Sequence, residues 1–179
     1  MDQKVSPVFR EQAEYLELVQ VCMDILKNAC NELYLSMRFL DTSLASLIPT
    51  ADMNVHGAGT DGGLLYFEPY RLASLYRKSR VHVNRLYLHM VFHCLFCHLW
   101  TRKRRDAAYW NLACDIAVEA LIDSLHYPCI RIAPAPARLV LYEQLHNRLS
   151  VLNAEGIYRA LQEMALSEEE VQMFCREFW

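Results

Sequence analysis

From Phe9 to about Leu33 apolar residues return every three or four positions. Tyr15, Leu18, Val19, Cys22, Ile25, Leu26 and Ala29 fall on one stripe, the period of an amphipathic helix. A second, shorter helix is predicted over about Leu35 to Leu47, stopping before Pro49, whose ring disfavours helix in the residue before it. The stretch "PTADMNVHGAGTDGG" holds four of the five glycines and is predicted as loop. After it, "LLYFEP" is short, aromatic and closed by Pro69, the strongest strand signal in the chain, at about residues 63–67. Residues 69–78 then read as helix with Pro69 in the first turn. A central helix follows over about Val81 to Thr101, and its end carries Arg102, Lys103, Arg104 and Arg105, where the helix dipole favours cations. Asp106 caps the next helix, roughly Ala107 to Ser124. "YPCIRIAPAPA" breaks regularity with three prolines and leaves room for a short extended piece at Ile130 to Ile132. Helical patterns return at Ala137 to Arg148, Ala154 to Met164 and Glu168 to Trp179, the last opened by a Ser167/Glu170 capping box. The fold class is mainly α with one short edge strand or hairpin.

The chain has 179 residues, no internal repeat and no dividing linker, so one domain over residues 1–179 is expected. A hydrophobic content of 54% against 22% charged marks an ordered chain. A net charge of -3 gives no global pull toward nucleic acid or a membrane surface, so neither is expected as a partner. "MDQKVSPVFREQ" lacks the basic and apolar regions of a secretory signal, and the longest apolar run, residues 86–100, is too short and too rich in histidine to cross a bilayer. Seven cysteines, an odd number scattered through helical patterns, read as reduced thiols in a cytoplasmic protein.

That apolar run, "LYLHMVFHCLFCHLW", raises the chemical question. His89 and His93 lie about 40° apart on one helical face, one turn from each other, which lets two imidazoles grip one ion. A third ligand must come from another element. On the next helix Asp115 and Glu119 share a face among Leu112, Ile116, Val118 and Leu121. A carboxylate in such surroundings is costly unless it meets a cation or a metal. The short basic turn makes the two helices antiparallel neighbours, so histidines and acid can face one another. Against this stands the plainer reading, in which the histidines hydrogen-bond and pack. His98 lies about 180° from His89 on a regular helix and suits packing better than ligation. Cys94 and Cys97 form a C-x-x-C inside a helix, where core packing is the default and a His93/Cys97 site the alternative.

Taken together, "TDGGLLYFEP", "HMVFHCLFCHLWTRKR", "YWNLACDIAVEALI" and "NAEGIYRALQEM" resemble the putative metallopeptidase domain of bacteria, which commonly precedes a von Willebrand factor A-like domain. The resemblance covers about residues 38–164. It implies a zincin-like helical domain with an edge strand flanking an active-site cleft. Residue by residue, it implies His89 and His93 as helix ligands, Asp115 as the third, and His98 at the position of the family's last histidine. Two positions depart from the pattern: the family's glutamate is Met90 and its asparagine is Glu119. In zincins that glutamate takes a proton from metal-bound water and passes it to the leaving amine. Methionine does neither, and loss of a general base costs about 10²–10⁴-fold in rate.

The expectation is therefore a metal-binding, peptidase-derived domain without standard peptidase activity, acting as a binding or regulatory module. A von Willebrand factor A-like domain or a protein or peptide ligand would be its partner. Zinc suits two imidazoles and a carboxylate best, although iron, manganese and nickel are accommodated too. One alternative is an active metal hydrolase using Glu119 or unaided metal hydroxide. A second is a metal-free helical interaction protein.

Overall fold

A computed structural model describes residues 7–178. The N-terminal six residues and Trp179, which the sequence pattern places at the end of the last helix, lie outside the described residues.

Helix α1 (Pro7–Ser36) follows the predicted stripe, burying Cys22, Ile25, Leu26, Ala29 and Leu33 on one side. It ends where Met37 leaves the helical region with φ -135°. The helix predicted over Leu35 to Leu47 is reduced to a 3₁₀ turn at Arg38–Leu40 and α2 (Asp41–Leu44). Local side-chain bonds explain the shortening: Thr42 donates to Asp41, and the Ser46 hydroxyl donates to the Ser43 carbonyl. Such bonds offer the backbone an alternative to continued helix.

The segment predicted as loop contains two strands, β1 (Ile48–Ala51) and β2 (Ala58–Thr60). They flank β3 (Leu64–Phe67), the strand the sequence announced, in the order β1-β3-β2. β2 and β3 form an antiparallel hairpin, and β1 runs parallel to β3 from Ile48↔Leu64 to Ala51↔Phe67. The aromatic strand is thus the centre of the sheet rather than its edge, as its buried Leu65 and Phe67 require. Its flanking strands carry weak intrinsic signals and are held by pairing with it. Gly62, at φ 100°, permits the hairpin turn, and Asp61 fastens it by accepting from the backbone N–H groups of Gly63 and Leu64.

Helix α3 (Pro69–Lys78) starts at the predicted proline, with Glu68 capping the N–H groups of Tyr70 and Arg71. Helix α4 (Arg80–Leu95) is shorter than predicted. Cys97 turns left-handed (φ 57°) before the short α5 (His98–Thr101). Helix α6 (Ala107–Ser124) has the predicted bounds and cap, the Asp106 carboxylate accepting from the Tyr109 N–H. The Ile130–Ile132 segment forms no strand: Ile130 closes a turn onto the Tyr127 carbonyl, and its side chain is buried. Helices α7 (Pro136–His146), α8 (Ala154–Met164) and α9 (Glu168–Phe178) complete the chain, α9 opening on the predicted Ser167/Glu170 box.

The contacts divide the chain into two compact units at Met90 and Val91, inside the unbroken helix α4. In the first, α1 packs on α3 and against the sheet's β1. In the second, α6 packs on α8 and α9 around Trp110, Leu112, Ile116, Leu145, Ile157 and Leu161. All seven cysteines are free thiols. Among the described residues no helix is long and apolar enough to cross a membrane.

Candidate metal centre

Helix α4 buries Val83, Tyr87, Leu88, Val91 and Phe92, so it is anchored by apolar contacts on most of its circumference. His89, one turn before His93 on the same helix, is 1% exposed. An imidazole there loses water, and ligation or hydrogen bonding must compensate it. From α6, Asp115 brings its Oδ1 to 3.1 Å from His93 Nε2. Asp115 is half-buried between the buried Cys114 and Ile116 of the same helix.

The three side chains together meet the geometric condition for a cation. One ligand atom from each of His89, His93 and Asp115 lies within 4.8 Å of the other two. Zinc bonds of about 2.0–2.2 Å set tetrahedral ligand atoms roughly 3.3–3.5 Å apart. The His93–Asp115 separation is already near that edge length, and no separation exceeds it by more than about 1.5 Å. Three donors of nitrogen and oxygen type leave a fourth position open, the arrangement of catalytic rather than structural zinc. The donor set therefore fits a divalent ion.

The neighbouring sulfurs do not enter this group. Cys94 and Cys97 stand outside the three-residue cluster, and Cys97 is exposed at the helix break. Burial first, with the Asp115 carboxylate adding to it, pushes the Cys114 thiol up, and the same two causes raise Cys175.

His98 is not where a regular helix would put it. The left-handed Cys97 redirects the chain, so His98 is buried and its ring meets that of His93 edge-on at 5.1 Å. Its other side faces the Trp110 ring at 6.2 Å, and the Trp110 indole N–H donates to the His98 carbonyl. Its ring packs against those of His93 and Trp110, and it is not one of the three clustered donors. No glycine marks this turn, so the sequence held no signal for it.

Glu119, one turn beyond Asp115, is also buried, but a different cation meets it. Arg138 of α7 reaches its Oε2 at 2.7 Å and Asp123 at 3.5 Å. The Tyr142 hydroxyl donates to Asp123, and the Arg138 guanidinium lies over the Phe178 ring. Sequence reasoning named the buried acid and its need of a cation without finding Arg138. Met90, in the place between the two histidines, is 5% exposed and contributes only apolar atoms.

One family model, described as "Putative metallopeptidase domain", matches residues 24–174. No curated protein and no solved structure matches the chain significantly.

Proposed function

The chain belongs to the putative metallopeptidase domain family, and from that premise we propose that it binds a divalent ion, zinc by preference, without ordinary peptidase activity. His89 and His93 would each give an imidazole nitrogen and Asp115 a carboxylate oxygen. The single observation that carries this reading is the convergence of those three donors. A bound ion would supply Lewis-acid polarisation at the open fourth position.

Neither Met90 nor Glu119 offers an unengaged base beside that position. Met90 has no ionisable group, and Glu119 spends its carboxylate on Arg138. The rival reading, in which Glu119 serves as a displaced base, requires that buried ion pair to open. Deprived of a general base, the site retains affinity for a ligand group better than the power to cleave it. The proposal therefore extends to a binding or regulatory role toward a protein or peptide, or a von Willebrand factor A-like domain.

Two measurements on the purified, untagged chain test it. Metal analysis after zinc supply and desalting should find one ion per chain, and its absence contradicts the proposal. Proteolysis assays should find the native chain inactive and Met90→Glu active, because a restored base is worth about 10²–10⁴-fold. Equal activity in both would move the role to another base, with Glu119→Gln as the deciding variant.

A further inference from the structure

The α4–α5 junction exposes four large apolar side chains within six residues: Leu95 (48%), Phe96 (42%), Leu99 (40%) and Trp100 (61%). The left-handed Cys97 interrupts the helix there, and α5 then buries His98 while leaving Leu99 and Trp100 in solvent. Arg102, Lys103 and Arg104 follow at once, and all three are exposed. Arg105 is differently engaged, donating to the Thr101 carbonyl and lying over the Trp110 ring. No acid interrupts this arrangement: between Glu68 and Asp106 the chain has nine of its 18 Lys and Arg and none of its 21 Asp and Glu.

We propose that this junction docks on an anionic lipid surface. Trp100, Leu99, Leu95 and Phe96 enter the boundary between headgroups and acyl chains, and Arg102, Lys103 and Arg104 pair with lipid phosphates. Exposed apolar side chains grouped in this way mark an interaction surface. Tryptophan, phenylalanine and leucine beside lysine and arginine are the composition of segments that lie in a membrane interface. A single-stranded nucleic acid would use the two aromatics for stacking but would gain nothing from two exposed leucines. The net charge of -3 does not oppose the contact, since charges beyond a Debye length of about 8 Å are screened at physiological salt. The contact is peripheral, and no described helix need cross the bilayer.

The test is co-sedimentation of the full, zinc-supplied chain with vesicles of phosphatidylcholine alone or mixed with phosphatidylglycerol. Binding is expected only to the mixed vesicles and should weaken as salt rises. Each exposed cation contributes about fivefold, so Arg102→Gln with Lys103→Asn and Arg104→Gln should cost about 100-fold. Asparagine suits position 103 because Lys103 sits at φ 55°. Leu99→Ser with Trp100→Ser should release the chain from the mixed vesicles with an unchanged circular-dichroism spectrum, because both side chains are exposed. The idea is overturned if the native chain ignores the mixed vesicles or if the neutralised chain binds them equally well. It is also overturned if an oligonucleotide or polyglutamate binds these residues while the vesicles do not.

Discussion

His93 meets two partners of different kinds, the Asp115 carboxylate at 3.1 Å and the His98 ring at 5.1 Å. In the proposed site the first would be a fellow ligand and the second a packing neighbour, so their removal should differ. Asp115→Asn keeps the shape but removes the charge that an ion requires. It should lower zinc affinity by more than the about 10–100-fold typical of losing a supporting hydrogen bond. His98→Phe keeps an aromatic ring against Trp110 and should leave zinc affinity within that smaller range. Competition against a chromogenic chelator measures both, and equal losses would assign His98 to the site. The convergence of His89, His93 and Asp115 was legible from the sequence because a one-turn spacing and an acid in an apolar run are both local signals. The role of Glu119 was not, because Arg138 comes from an element beyond a proline-rich break.

Helix α6 presents Asp115 and Glu119, and its stability rests on its ends and its neighbours. Asp106→Ala removes the side-chain cap on the Tyr109 N–H and should cost about 1 kcal/mol in denaturant unfolding. Arg138→Met strands the buried Glu119 carboxylate and should cost about 3–5 kcal/mol, whereas Glu119→Leu with Arg138→Met should recover part of that loss, Asp123 keeping only the Tyr142 hydroxyl of its two named partners. Recovery in the double variant separates a buried charge from mere loss of packing.

The hairpin joining β2 to β3 has its own pH dependence. Backbone N–H groups of Leu64 and Gly63, then the Tyr66 hydroxyl, hold Asp61 below the usual carboxylate range. A lowered folded-state value stabilises the turn above the unfolded value of about 3.9, and that stability fades as pH falls through the folded value. The protection of the Gly63 and Leu64 amides, relative to their intrinsic exchange rates, should therefore fall only in acid, and in Asp61→Asn it should lose that acid limb. The caps of α6 and α9 were readable because they involve residues three positions apart. The two strands around β3 and the break at Cys97 were not, since pairing and a left-handed non-glycine residue leave no periodic trace.

At the scale of the molecule, the family match runs across both compact units, from residue 24 to residue 174, and the unbroken α4 passes from one to the other. Helical class, the order of the long helices and the aromatic strand were all open to pattern reading, because helices of this length repeat their apolar face several times. An ion held by His89, His93 and Asp115 would bind only the folded chain. Zinc at about 100 times its dissociation constant should therefore add about 2.7 kcal/mol to stability, and a chelator should remove it. X-ray absorption on the zinc-loaded chain tests that site most directly. Nitrogen and oxygen neighbours at about 2.0–2.2 Å with two imidazole signatures are the predicted result. A sulfur shell near 2.3 Å, or a chain that takes up no zinc, would contradict it.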